Sequence, residues 1–151
     1  MEKLVNGKKI TCAVVIINKD GDILGCHPTS HPEVYDFPKG CAEEGEMDMM
    51  AAVRELREET DILLYDENWN VLHELIDCGV YPHLKEKNIH IFLYKVNSFP
   101  DLSTLKCTSM FEAHGKQFPE VDRYKIIKKD ERHLFMKCLQ NKFDIIDSFN
   151  K

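Results

Sequence analysis

The stretch Phe37–Ile62, FPKGCAEEGEMDMMAAVRELREETDI, decides how this chain is read. Met47 to Thr60 contains no glycine or proline and consists largely of good helix formers, which predicts a helix. Three glutamates, Glu55, Glu58 and Glu59, crowd its C-terminal half. On a helical wheel Met49, Val53, Leu56 and Thr60 fall together as the expected buried stripe. The glutamates fall on the opposite side, with Asp48 beside them. Glu55 stands i,i+4 to Glu59 and i,i+3 to Glu58, spacings at which like charges on an exposed helix cost about 0.2–0.5 kcal/mol each. Arg54 can pair with Glu58 and relieves only part of this. Negative charge late in a helix also opposes its dipole. A solvated acidic face is the ordinary reading of a glutamate-rich helix. A divalent cation, however, resolves both conflicts here. Hard oxygen ligands on neighbouring turns suit magnesium or manganese, which keep waters and accept phosphate oxygens.

The lead-in to the helix points the same way. Gly40 and Gly45 permit unusual backbone angles and close approach of the chain to a ligand. Lys39, directly ahead of Gly40, is placed to meet a phosphate as a point charge. An acidic metal face, a glycine loop and an adjacent lysine together describe a polyphosphate site.

The rest of the chain frames this segment. Its 151 residues suit one domain, 1–151, with a real core. A formal net charge of −6, with no basic stripe, argues against general duplex nucleic-acid binding. Six cysteines, at 12, 26, 41, 78, 107 and 138, are widely spaced without a CxxC pair, which argues against zinc. The N-terminus shows no export signal and no segment is long and apolar enough to span a membrane, so a cytoplasmic protein with free thiols is expected.

The coarse outline is α+β. Ile10–Ile17, KDGD and Ile23–Leu24 read as a hairpin. VYDFPKG is a short extended piece. NVLHELIDCGVY and NIHIFLYKV read as strands joined by the loop PHLKEKN. SMFEA is a further candidate strand, HGKQFPE a loop and VDRYKII a last strand. KKDERHLFMKCLQNKFDIIDSF reads as one or two closing helices. A mixed, mostly antiparallel sheet between a central helix and a C-terminal helix is the expected architecture.

Gly40, five residues, Glu46, seven residues, then Arg54-Glu55-Leu56-Arg57-Glu58-Glu59-Thr60-Asp61-Ile62 resembles the Nudix box. That signature is glycine, five, glutamate, seven, then Arg-Glu-aliphatic-any-Glu-Glu-any-Gly-aliphatic. Every defined position matches except one, where Asp61 replaces glycine. Asp61 falls just past the helix, where a left-handed residue often ends it, and aspartate tolerates that conformation. The flanking hairpin, strands and helix also fit a Nudix fold over nearly the whole chain.

The resemblance implies hydrolysis of a nucleoside diphosphate linked to another group. It implies metal ligation by Glu55, Glu58 and Glu59, joined by the Gly40 carbonyl, with Arg54 holding carboxylates in place. The base is then Glu55 or a glutamate in a later loop. Glu120 is the candidate there, with Glu112 and Asp122 as rivals. FPKG is similar to the lead-in of Nudix enzymes acting on dinucleoside polyphosphates and diphosphoinositol polyphosphates, and RNA 5'-pyrophosphohydrolases have a related one. Downstream of the box, a tyrosine marks dinucleoside polyphosphate enzymes and a proline ADP-ribose enzymes; Tyr81 and Pro82 stand adjacent here. Tyr81, Phe111, Phe118 and Tyr124 are aromatic candidates for stacking a base. The expected substrate is a dinucleoside polyphosphate, bound with help from Lys39 and Tyr81, with ADP-ribose, FAD or RNA 5' caps as related substrates. The alternative is a catalytically inactive Nudix-like nucleotide-sensing module.

Overall fold

The computed structural model describes all 151 residues. Its organising element is β2 (Lys8–Ile17), whose apolar run is buried on both faces. Ala13, Val15 and Ile17 point into one core cluster, and Ile10, Cys12, Val14 and Ile16 into another. A strand covered on both sides reads as a continuous hydrophobic run instead of an alternating one. β6 (Lys87–Lys95) lies parallel to β2 from Lys9↔Lys87 to Ile17↔Lys95. β5 (Ile76–Leu84) pairs antiparallel outside β6.

The other edge of β2 is divided among three partners. β1 (Leu4–Val5) takes Lys8 and Lys9, β4 (Lys39–Cys41) takes Thr11 to Ala13, and β3 (Ile23–Pro28) pairs only at Ile17↔Ile23. The expected β2–β3 hairpin therefore closes only next to its turn. There, the Asn18 side chain accepts from the Asp20 and Asp22 amides, both at 3.0 Å. Beyond the turn the strands separate, and the chain from Asp36 to Cys41 runs between them: Cys26 and Asp36 exchange backbone hydrogen bonds, and Val14 N donates to Pro38 O. β3 continues the sheet through antiparallel β9 (Val121–Ile127).

Helix α1 (Asp48–Thr60) covers the face bearing Val14 and Ile16. The opposite face is covered by Phe135, Leu139, Phe143 and Ile146. These come from two 3-10 turns, Lys129–Leu134 and Lys137–Lys142, their flanks, and helix α2 (Phe143–Phe149). The α+β class and the sandwich of a mixed sheet between two helical layers are as expected.

Three segment readings change. HGKQFPE is not all loop: β7 (Met110–Ala113) turns at His114–Gly115 into β8 (Lys116–Pro119), a separate two-stranded ribbon. Both turn residues have positive φ, 53° and 75°, which a tight hairpin demands. NVLHELIDCGVY becomes regular strand only at Ile76, and PHLKEKN shrinks to a turn at Lys85–Glu86.

The wheel is also rotated. Leu56 and Thr60 are buried as expected, but Met49 and Val53 are only half-buried. Ala51, Ala52, Glu55 and Glu59 are buried in their stead. Alanine on the sheet-facing side lets α1 sit close to β2 and β4. Two glutamates thereby face inward, where the apolar-stripe argument had placed them outside.

Arg132 ties the C-terminal layer to the β2–β3 turn. Its guanidinium donates to both carboxylate oxygens of Asp147 (2.7 and 2.8 Å) and to Gly21 O (2.9 Å), and lies 4.9 Å from the centre of the Phe143 ring. Charge-assisted hydrogen bonds of this kind contribute roughly 1.5–3 kcal/mol. Arg132→Ala is therefore expected to lower the urea midpoint by a stability change in that range. An unchanged midpoint would show that the fork is a surface contact.

Candidate active site

The site forms where β4 crosses the C-terminal half of α1. The β2–β4 register places Gly40 opposite Cys12 and directly over Glu55. A Cβ at Gly40 would lie 2.1 Å from the Glu55 carboxyl carbon, so only glycine lets the strand and the buried carboxylate coexist. One turn on, Glu59 Oε1 accepts from the Lys39 backbone N–H at 3.2 Å. The strand backbone is thus held against both carboxylates.

Burial dominates their electrostatics. Glu55, 9% exposed, is pushed up to about 7, first by desolvation and then by the Glu58 charge, against the pull of Arg54. Glu59, 7% exposed, is pushed up to about 9, first by desolvation and then by Glu55.

Arg54 is the organising cation. Nε and Nη2 donate to the two oxygens of Glu46 at 2.9 and 3.0 Å, Nη1 to Glu55 at 2.9 Å, and Nη2 to Cys41 O at 3.2 Å. The anticipated Arg54–Glu58 contact is present but longer, at 3.4 Å. Glu46 is thus the main partner of Arg54, and it also accepts from Glu43 N at 2.9 Å. Its motif position was visible in the sequence, but its role as a clamp required the fold.

Lys39, Glu59 and Glu120 line one cavity of about 200 Å³, together with Asp36 and Phe37. Lys39 Nζ lies 3.0 Å from Asp36. Burial works against the Lys39 charge, but Asp36, helped by the Glu59 charge, outweighs it and the lysine pKa is raised. Asp36 was not a candidate from sequence. Its position three residues before Lys39 was the available signal.

Glu120 occupies the bend between β8 and β9, exposed, and its charge is felt at Glu55. Of its rivals, Asp122 is engaged elsewhere, 2.6 Å from Nδ1 of buried His27, and Glu112 lies exposed on the β7–β8 ribbon opposite Gln117. Tyr81 is not brought to the carboxylates. Its hydroxyl donates to Cys78 O, and its ring packs on the α2-side core. Phe111 and Phe118 pair with each other on the ribbon, and the Tyr124 hydroxyl donates to Glu59 O at 2.5 Å.

Residues 7–136 match the family model of the NUDIX domain. The chain belongs to the Nudix family. None of the curated proteins matches it. Among solved structures it is similar to the dihydroneopterin triphosphate pyrophosphohydrolase of E. coli, at 20% identity and a TM-score of 0.65, over 94% of this chain and 96% of that one. It is similar to the MutT protein of Methanosarcina mazei at 18% identity and a TM-score of 0.63, over 99% of both chains. It is also similar to a C. elegans Ap4A hydrolase at 19% identity and a TM-score of 0.61, over 92% and 96%. As a Nudix protein the chain falls in the enzyme class of pyrophosphohydrolases, a family that works with divalent metals.

The one departure from the Nudix signature is accommodated locally. Asp61 adopts φ 67°, ψ 13°, and its N–H closes the helix on Arg57 O at 2.8 Å. Aspartate enters this left-handed region at a cost of about 1 kcal/mol or less relative to glycine.

The Nudix metal fits the donor set. Two buried carboxylates, both with proton affinity raised by desolvation, lie beneath a glycine that leaves room for them, and Glu58 adds a third oxygen donor on the same helix. No three such side chains converge into a finished cage, and Glu58 lies 3.4 Å from Arg54.

The raised pKa values set the stability of the metal-free protein. Both carboxyls titrate near the ordinary 4.5 when unfolded, so between that pH and their folded values the native state binds more protons. Their contribution is fully present below about 4.5 and lost as pH rises through about 7 for Glu55 and about 9 for Glu59. In EDTA, Glu59→Gln is therefore expected to melt above the parent at pH 8 and to match it near pH 4. A parent whose Tm rises between those pH values relative to Glu59→Gln would overturn this.

Proposed function

We propose that the chain hydrolyses the pyrophosphate linkage of nucleoside diphosphate derivatives, with dinucleoside polyphosphates such as diadenosine tri- and tetraphosphate as its main substrates. ADP-ribose, FAD and capped RNA 5' ends are related substrates of the same chemistry. The observation that carries this reading is the buried Glu55–Glu59 pair beside a cavity that also holds the charged Lys39. The carboxylates suit a divalent cation and the lysine suits an additional phosphate.

Glu55, Glu58, Glu59 and the Gly40 carbonyl would hold Mg2+ or Mn2+, which would neutralise the phosphates and acidify a water. Arg54, fixed by Glu46, orients Glu55 and Glu58 for that task. Lys39 binds a phosphate oxygen at the Glu59 side. The proton of the attacking water goes to Glu55 or Glu120, the two carboxylates that border the reacting position.

A panel of dinucleoside polyphosphates, ADP-ribose, FAD and capped RNA, incubated with magnesium or manganese and resolved by chromatography, tests the assignment. Oxygen-18 water in the same reactions identifies the phosphorus attacked. Turnover is expected only with a divalent ion. Nucleotide binding without turnover of any member would favour a sensing module.

Glu55→Gln and Glu59→Gln are each expected to lower kcat by about a thousandfold or more. Glu120→Gln should cost less, within the roughly hundred- to ten-thousandfold of a general base. Near-parent kcat in Glu55→Gln would sink the metal-face assignment.

Lys39→Ala is expected to lower kcat/KM for diadenosine tetraphosphate more than for ADP-ribose, since it removes a charge for the extra phosphates. Equal losses would count against a role in reading phosphate length.

A further inference from the structure

A second, larger cavity reaches Arg54 and Glu58 and shares no lining residue with the Lys39 cavity. It is a groove of about 710 Å³ between the outer face of α1 and the segment Ile62–Trp69. Its size falls within the ~300–1,000 Å³ usual for small-molecule sites, whereas the Lys39 cavity is smaller than that range. Arg54 and Glu58 form its near end, so it is continuous with the active site. Its far end carries Tyr65 and Trp69, with ring centres 6.1 Å apart.

Trp69 is displayed at a conformational cost. It is 67% exposed and has φ 63°, a left-handed conformation that bulky residues rarely adopt. The turn holding it is braced by Asp66, whose side chain accepts from Asn68 N at 2.8 Å and Asn70 N at 2.9 Å. An exposed tryptophan, held out by a strained and braced turn, forms a stacking surface.

Charge orients what enters. Asp66 and Glu67 make the far end acidic, which disfavours phosphate there and suits the amino groups of a base. Nearer the carboxylates the groove contains Arg57, which enters no ion pair or side-chain hydrogen bond, while Arg54 is tied to Glu46, Glu55 and Glu58. Arg57 also occupies the box position at which the Nudix signature allows any residue.

We propose that this groove is the subsite for a nucleobase of the substrate, with Trp69 and Tyr65 as its stacking surfaces and Arg57 binding the phosphate attached to that nucleoside. The ring lies toward Trp69 and the phosphates run back toward Glu58. This deepens the hydrolase assignment and rests on it for the word substrate; binding of a nucleoside in the groove stands on the geometry alone.

Trp69 is the chain's only tryptophan, so its fluorescence reports on the groove directly. In EDTA, adenosine and AMP are expected to quench it, and inorganic tripolyphosphate to leave it unchanged. Arg57→Gln should weaken AMP several-fold and adenosine little. With metal present, Trp69→Ala should raise KM for dinucleoside polyphosphates by about five- to a hundredfold, the value of one base–aromatic stack. Trp69→Phe should restore most of the loss, which separates stacking from damage to the fold. If adenosine and AMP leave the fluorescence unchanged while dinucleoside polyphosphates are hydrolysed, the groove proposal fails and the hydrolase assignment stands. If they quench it but no panel member is turned over, the base subsite stands and the hydrolase assignment fails. Unchanged KM in Trp69→Ala would also overturn the subsite.

Discussion

Two carboxylates buried one helical turn apart are the constraint around which this molecule is arranged. Glu55 and Glu59 sit at 9% and 7% exposure; burial raises the proton affinity of both, and the Glu55 charge adds to that of Glu59. Keeping both in place at neutral pH without a cation therefore costs on the order of several kcal/mol. Small domains have only ~5–15 kcal/mol of net stability. The fold must therefore be secure elsewhere to tolerate the pair. The strand β2, buried on both faces and flanked by two core clusters, supplies that security.

The same strand positions the pair. A slip of one residue between β2 and β4 would reverse the facing of Gly40, and backbone hydrogen bonds on either side of β4, Val14 N to Pro38 O and Ala42 N to Ile10 O, hold the register. With the register fixed at Cys12↔Gly40, the glycine backbone rests on Glu55 and the Lys39 amide reaches Glu59. Arg54 completes the frame. It binds Glu46 before the helix, the Cys41 carbonyl in the strand, and Glu55 and Glu58 within the helix. One side chain thus joins strand, loop and helix at the point where the chemistry is expected.

Much of this was legible in the sequence because it depended on spacing. The Nudix box, the helix from Asp48 to Thr60, and the left-handed Asp61 that ends it are all local patterns. What escaped was set by tertiary contact. The helical wheel took Val53 and Met49 as the buried stripe because it weighed side-chain hydrophobicity. The structure buries Ala51, Ala52, Glu55 and Glu59, because small residues admit close approach to the sheet and because a site requires inward carboxylates. The β2–β3 hairpin was correct at its turn, but no local signal showed that Asp36–Cys41 would separate the strands beyond it. Lys116–Pro119 was read as loop for its polarity and proline, yet on a two-stranded ribbon every residue lies on an edge, where proline is tolerated. Tyr81 was selected from a family marker, and its hydroxyl is bound within its own strand.

The cavity at Glu59 and the cavity at Glu58 have different chemistry, and that difference bears on the proposed substrate class. The smaller is bordered by Lys39 and Glu120 and is matched to phosphate and a proton acceptor. The larger has aromatic rings at an acidic end and an unpaired arginine nearer the site, and is matched to a base and its phosphate. A molecule with phosphate on the Lys39 side and a nucleoside on the Trp69 side uses both. A mononucleotide fills only one of them. The proposed preference for dinucleoside polyphosphates rests on this division, since a substrate carrying both a nucleoside and several phosphates offers a group suited to each cavity.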